Sequence, residues 1–201
     1  MLGLPKGTEV QKQLPKKLIF EKFNLNTAAQ EKFNANIARI YIVNEISPAT
    51  TNIAEGETVK AVYVLQILLK KRDYDPKEIL LIARLIEQRM IFVLTFEEQI
   101  SVAVVRGRLL ASDWHSPDDD ALTLNGLNMD AVWENLNIQI SGVELQDGHT
   151  LDEQLAENDR RDKLLKEIAK LEKLARAEKQ PKKKFELASE IKRLKRQISN
   201  I

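Results

Sequence analysis

The stretch TVKAVYVLQILLKK, residues 58–71, constrains the fold more than any other part of the chain. It is rich in β-branched residues, and its first half alternates, with Val62 and Val64 on the side opposite Tyr63. Such a run is typical of a strand that packs against neighbours in a sheet. We therefore predict a central strand here, around which the remaining elements must be arranged.

Helix and strand patterns follow this strand in turn. Asp75 and Pro76 are predicted to begin a helix, as its N-cap and its first residue. Three strands are then predicted at residues 90–96, 100–105 and 108–114, and the first two form a hairpin. These patterns predict an α+β fold with a small mixed or antiparallel sheet and flanking helices.

Two further helices are predicted before the central strand. Pro15 begins the first of them, over residues 18–23. The second begins with a capping box at residues 27–30 and continues through apolar residues at helical spacing, which are Ala29, Phe33, Ile37 and Ile40. Residues 47–52 are predicted to form a loop, because Pro48 disfavours a helical conformation in the residue before it.

Helical signals dominate the chain after the sheet. One helix is predicted with Asn128 as N-cap, Asp130 in its first turn and Gly142 as C-cap. A capping box at residues 150–153 then begins a long helix, which lasts until Pro181 interrupts the pattern. A second C-terminal helix follows that proline.

The second C-terminal helix repeats apolar residues at the alternating spacings of a coiled coil, at Leu187, Ile191, Leu194, Ile198 and Ile201. Two such helices joined by a short turn most simply form an antiparallel, coiled-coil-like hairpin. We predict two domains, an α+β body over residues 1–145 and a basic helical hairpin over residues 150–201. One alternative function is a homo-oligomer held together by this hairpin.

The formal net charge of +1 conceals a strong asymmetry. Residues 160–201 contain 15 Lys and Arg against 6 Asp and Glu, a net charge of +9, whereas residues 1–159 carry a net charge of −8. Phosphate backbones bind basic surfaces of this kind by counterion release, although a solvated helix face has the same composition. The residues predicted to bind an anionic partner are Lys6, Lys12, Lys16, Lys17, Lys182, Lys183 and Lys184.

Patterns of catalysis and metal binding are scarce in this sequence. The chain has no cysteine, which excludes disulfides and thiolate metal sites and predicts a reducing, cytoplasmic setting. His115 and His149 have no partner at metal-ligand spacing on one helix face. The sequence has no glycine-rich phosphate loop and no apolar run long enough to span a membrane. We therefore predict no cofactor and no metal, no membrane contact, and a non-catalytic role.

One enzymatic alternative is a metal-dependent nuclease of the restriction-endonuclease type. Such an enzyme places an Asp and a Glu-x-Lys triplet on adjacent strands, where the carboxylates hold Mg²⁺. Glu57 precedes the central strand and Gln66 and Lys70 lie along it, without the Glu-x-Lys spacing. Gln66 is more commonly a hydrogen-bonded core residue than a metal ligand.

Four segments occur in an order that resembles a known family: LPKGTEVQKQLPKK at 4–17, SPATTNIAEGETVKAVYVLQILLKK at 47–71, MIFVLTF at 90–96 and LNGLNMDAVWENLNIQISG at 124–142, before a Lys-rich tail. The chain resembles, over essentially its whole length, the uncharacterised prokaryotic family called domain of unknown function 4391. The family positions that this chain matches are Leu4, Pro5, Lys6, Thr8, Glu9, Val10, Lys12, Pro15, Lys16 and Lys17, and later Gly126, Leu127, Asn128, Asp130, Ala131, Glu134 and Asn135.

The resemblance implies an association with helicases and DNA methyltransferases in restriction-like or phage-defence systems, without an established activity. This chain departs from the family at two positions: it has Gln66 where an acidic residue is expected and Trp133 where Tyr is expected. The first departure weakens the nuclease alternative. The leading prediction is an accessory, non-catalytic module whose basic hairpin binds a partner protein or nucleic acid. Residues 4–12 have no local structural explanation beyond one turn that Thr8 could cap, so they are the first place to look for a contact common to the family.

Overall fold

Two compact units make up the chain, Met1–Gly142 and Val143–Ile201. The structure, a computed structural model, describes residues 2–119 and 121–199. The strands of the first unit are β1 Glu9–Gln13, β2 Ile37–Ile46, β3 Val62–Leu69, β4 Arg89–Phe96, β5 Gln99–Arg106 and β6 Arg108–Ala111. Its α-helices are α1 Lys16–Lys22, α2 Thr27–Asn36, α3 Pro48–Thr51, α4 Pro76–Ala83 and α5 Met129–Ser141.

The six strands form one sheet in which they follow one another in chain order. Neighbouring strands are antiparallel except for β3 and β4, which are parallel and are connected through α4. A parallel pair requires such a crossover, because a short turn can join only antiparallel neighbours. The predicted α+β fold with a mixed sheet is therefore confirmed.

β3 lies at the centre of the sheet and has buried side chains on both faces, although Gln66 and Leu68, both on one face, are partly exposed. Leu65 and Ile67 face one helix layer, whereas Val62 and Val64 face the other way, and none of these side chains is exposed to solvent. Alternate residues of a strand point to opposite faces, so this pattern needs a layer on each side of the strand. The prediction of a central strand is confirmed.

The first face of the sheet is covered by α1, α2 and α4. Their buried residues Ile19, Phe33, Ile79 and Ile82 belong to one apolar cluster with the inward side chains of β3 and β4. The rings of Phe20 and Phe33 meet edge to face, with their centroids 5.5 Å apart. Aromatic pairs prefer this arrangement over direct stacking.

On the second face, α5 packs against β5 and β6 through its buried apolar side chains, including Val132, Leu136 and Ile140. Oδ1 of Asn128 accepts a hydrogen bond from the backbone N–H of Ala131 at 2.9 Å. Gly142 ends the helix in the left-handed conformation, with a φ of 61°. Both ends of this helix are therefore as predicted.

The helix predicted to continue through Ile37 and Ile40 is wrong, because both residues belong to β2. Residues three positions apart normally point to opposite faces of a strand. The register of β2 against β3 shifts between Ile37 and Arg39, which is a bulge. The bulge brings Ile37 and Ile40 into the same apolar cluster, and the buried apolar residues of the strand thereby have the three-residue spacing that is typical of a helix.

Three local predictions near the N-terminus also need correction. The N-cap of α2 is Asn26 and not Thr27, since Oδ1 of Asn26 accepts from the N–H of Ala29. The predicted loop at 47–52 contains α3, because Pro48 is well suited to a first helical position. The predicted turn after Thr8 is a 3-10 helix before it, at Lys6–Thr8, and strand β1 follows.

The second unit consists of two helices, α6 Leu151–Ala177 and α7 Pro181–Ile198, within its described residues. The predicted capping box of α6 is present between Thr150 and Glu153. The helices pack together, and an ion pair of 2.8 Å joins Glu172 of α6 to Lys195 of α7. Ile201, the last position of the predicted apolar repeat, lies outside the described residues. Across residues 2–119 and 121–199, no helix is long and apolar enough to cross a membrane.

Replacing Leu65 by Ala tests the central position of β3. The side chain has no solvent exposure, so Leu65→Ala removes buried methyl groups and leaves a cavity that costs about 2–5 kcal/mol in the free energy of unfolding. Leu127→Ala is the matched control, since 93% of Leu127 is exposed. In urea titration, the free energy of unfolding should fall clearly for Leu65→Ala and change by less than about 0.5 kcal/mol for Leu127→Ala. Equal effects would contradict the assignment of β3 to the core.

Candidate nucleic-acid interface

Four lysines form a row along one side of α6. Lys163, Lys166, Lys170 and Lys173 are spaced by three, four and three residues, and all of them are exposed. At 3.6 residues per turn these spacings keep the side chains on one side of the helix, over a length of about 15 Å. We call these four residues the lysine row.

The opposite side of α6 faces α7. Leu164, Leu171 and Ala175 are half-buried on that side, and Ile168 is buried with 5% of its surface exposed. In projection along the helix axis, these residues lie about half a turn from the lysine row. The packing of the two helices therefore directs the row away from the helix pair and into solvent.

The ion pairs of the helix pair engage other side chains. Lys195 pairs with Glu172, and Arg193 pairs with Glu190 on the same helix. The three predicted site residues Lys182, Lys183 and Lys184 lie exposed in the first turn of α7, which contains no acidic residue. Because the helix N-terminus carries partial positive charge, these lysines concentrate positive potential at the tip of the helix pair.

The four lysines predicted near the N-terminus do not form one cluster. Lys6 lies in the 3-10 helix and Lys12 on β1, and both are exposed. Lys17 is 3.5 Å from the carboxylate of Glu21 in the same helix. Lys16 is half-buried and makes hydrogen bonds within the first unit. The predicted role of these lysines in binding an anion stays a prediction.

Lys16 contributes to the structure of the first unit. Its ammonium group donates to Oδ1 of Asn34 at 2.8 Å and to the backbone carbonyl of Ile37 at 2.7 Å. Burial, and secondarily the charge of Lys70, lower its pKa. These contacts satisfy the C-terminal end of α2, where backbone carbonyls lack helical partners.

Asp130, a position of the family motif, clamps the loop before β3 to the start of α5. Its carboxylate accepts hydrogen bonds from the backbone N–H groups of Glu57, Thr58 and Val59, and from the hydroxyl of Thr58 at 2.6 Å. The Thr58 hydroxyl makes the largest contribution to lowering the pKa of this carboxyl, and the backbone donors add to it. A side chain on Gly56 would lie 2.7 Å from the carboxylate, so the loop requires glycine there.

The residues of the nuclease alternative are not brought together. Glu57 lies before β3 and Lys70 directly after it, so eight strand residues, about 26 Å, lie between them. Gln66 lies between these two on the second face of the sheet, where its amide is 3.3 Å from the hydroxyl of Thr95. The described residues contain no group of three or more His, Asp or Glu that could hold a metal ion.

The lysine row lies within the basic surface predicted for the helical hairpin, but its four residues were not among those predicted to bind the anionic partner. Sequence reasoning selected the consecutive lysines at the tip, because Pro181 marked a turn there. The 3-4-3 spacing of the row was the signal that could have identified it, since the apolar residues on the other side of α6 recur at the complementary 4-3-4 spacing. A helix alone does not show which side is solvent-exposed, and the packing of α7 supplies that information.

Comparison with known proteins identifies one family. A family model described as Domain of unknown function (DUF4391) matches residues 2–198, almost the whole chain. Comparisons with curated proteins and with solved structures give no match.

Replacing Asp130 by Asn tests the clamp. Asp130→Asn exchanges the carboxylate for a neutral carboxamide, so we expect a lower unfolding temperature at about pH 7, where the carboxylate is charged. Because the folded pKa lies below the unfolded one, the stabilisation is complete above about pH 5 and is lost as the pH falls through the folded value. Thermal unfolding followed by circular dichroism should therefore show a difference from the unmodified chain that shrinks in acid.

The control for this prediction is Asp118→Asn, which changes an exposed carboxylate of the same charge. It should leave the unfolding temperature nearly unchanged at every pH. Indistinguishable unfolding temperatures for the Asp130 and Asp118 variants at about pH 7 would show that the clamp does not stabilise the fold.

Proposed function

The chain belongs to the DUF4391 family of domains of unknown function, and we propose that it binds the phosphate backbone of nucleic acid through the lysine row. The observation that carries this proposal is the exposed row of four ammonium groups on one side of α6. The net charge of +9 over residues 160–201 adds a favourable long-range field. The protein then acts as a non-catalytic module that attaches to nucleic acid.

Backbone contact without sequence readout fits these side chains best. Lysine acts as a point charge and reaches phosphates without the bidentate geometry that reads a base edge. Residues 150–201 contain a single aromatic residue, Phe185, whereas surfaces that bind single strands stack successive bases on aromatic rings. We therefore propose duplex DNA as the ligand of the row, with Lys182, Lys183 and Lys184 as additional phosphate contacts at the tip.

The biological setting of this module is proposed from the family resemblance alone. We propose that it is an accessory subunit of a DNA-processing or phage-defence system, in which helicases or DNA methyltransferases are its protein partners. In that setting the row would hold the complex on DNA while the partner carries out the chemistry. The first unit carries a net charge of −2 over residues 1–142, so it lacks the concentrated positive charge that residues 160–201 offer to the same ligand.

Binding of labelled duplex DNA at several salt concentrations tests the proposal. Each phosphate contact contributes a slope of about −0.9 in a plot of log K against log salt. A row of four contacts contributes about −3.6 to the slope, measured by fluorescence anisotropy, and contacts by the three lysines at the tip add to this value. Replacing Lys163, Lys166, Lys170 and Lys173 by Gln should weaken binding at least about tenfold at low salt and make the slope less negative by about 3.6.

The matched control removes the same charge from the first unit. Replacing the exposed residues Lys71, Lys77, Arg84 and Arg89 by Gln also subtracts four positive charges. This control should retain most of the affinity and the slope. No binding at low salt, or an equal loss in both variants, would contradict a site on α6.

A further inference from the structure

An open groove lies on the second face of the sheet, over β1, β2 and β3. Its volume of about 490 Å³ lies within the range of volumes of small-molecule binding sites. Three of its seven lining residues are glutamines, and Tyr41, Val43, Asn44 and Glu9 complete the lining. None of the seven lining residues is basic, and the guanidinium of Arg39, which adjoins the lining, is engaged with the hydroxyl of Tyr41, so this groove is chemically distinct from the lysine row.

The register of the strands places two carboxamides beside one aromatic ring. Tyr41 is the direct neighbour of Gln13 on β1 and of Gln66 on β3. Directly opposed residues of antiparallel strands have Cβ atoms about 5 Å apart. The three residues therefore form a row across three strands, Gln13–Tyr41–Gln66, on the face that lines the groove.

Contacts within the protein hold parts of the groove in place. A guanidinium nitrogen of Arg39 donates to the hydroxyl of Tyr41 at 3.2 Å. The amide of Asn44 donates to the hydroxyl of Thr8 at 2.8 Å, and that hydroxyl donates to the carbonyl of Pro5. The 3-10 helix at the N-terminus is thereby fastened to β2, and the chain enters β1 with Glu9 at the edge of the groove.

The chemistry of the lining selects the ligand class. A carboxamide offers both a donor and an acceptor, which is the arrangement that pairs with the edge of a nucleobase. Tyr41 supplies an aromatic ring beside these groups, and bases stack on rings exposed by a sheet face. Glu9 is the one charged residue of the lining, and a carboxylate repels phosphate. A base or nucleoside fits this set better than a phosphate group does.

We infer that the groove binds a single nucleobase, with Tyr41 as the stacking partner and the carboxamides of Gln13 and Gln66 at its edge. The base belongs either to a free nucleoside or to an unpaired position in a nucleic-acid strand. The inference does not depend on the proposed role of the lysine row, because a nucleoside carries no phosphate.

Titration of the full chain with adenosine, guanosine, cytidine and thymidine tests the inference. Chemical-shift changes in ¹H–¹⁵N spectra should saturate for at least one nucleoside below about 10 mM. Tyr41→Leu should weaken that binding about tenfold, because it removes the ring, whereas Tyr41→Phe keeps the ring and should retain most of the affinity. Gln13→Ala, on an exposed edge strand, provides a second variant that should weaken binding even if Tyr41→Leu unfolds.

Gln88→Ala is the control for the carboxamides, since Gln88 is an exposed glutamine outside the groove, and it should bind like the unmodified chain. A six-nucleotide single strand, titrated into the variant that lacks the lysine row, distinguishes a base within a strand from a free nucleoside. Absence of saturable binding by every nucleoside and by this strand would overturn the inference. If methyl glucoside bound as tightly as the nucleosides, the groove would be assigned to a carbohydrate and the inference overturned. Nucleoside affinities that Tyr41→Leu and Gln13→Ala leave unchanged would also overturn it.

Discussion

The pairing of β3 with a strand on each side is the interaction on which the first unit depends. β2 pairs with one edge of β3 and β4 with the other, and the parallel pairing with β4 requires α4 to cross over one face. That face is covered by three helices, whereas α5 packs on β5 and β6 of the other. The groove over β1, β2 and β3 follows from this unequal cover of the two faces.

Signals that act over a few residues were readable from the sequence. The caps at Asp75, Asn128 and Thr150 were predicted correctly, because each depends on one side chain and a nearby backbone N–H. β2 was not predicted, because the bulge beside Ile37 gives it the apolar spacing of a helix. Bulges arise from pairing with another strand, and a single segment does not show them.

The two candidate sites likewise differ in how much of each can be predicted from the sequence. The spacing of the lysine row is visible in the sequence, but the solvent-exposed side of α6 is fixed only by the packing of α7. The row Gln13–Tyr41–Gln66 depends on the register of three strands, which are separated by long stretches of chain. Residues 4–12, which had no local explanation, are accounted for by the hydrogen bond between Asn44 and Thr8 and by the pairing of β1.

Two units of different charge thus offer two surfaces of different chemistry, a row of ammonium groups on α6 and a groove lined by carboxamides on the sheet. Protection of lysines from acetylation by duplex DNA tests the central claim, that the row contacts phosphate, most directly. The reactivity of each lysine is read by mass spectrometry with and without DNA. The account predicts protection of Lys163, Lys166, Lys170 and Lys173, and unchanged reactivity at the exposed Lys71 and Lys77. Uniform protection of all lysines, or none at the row, would contradict it.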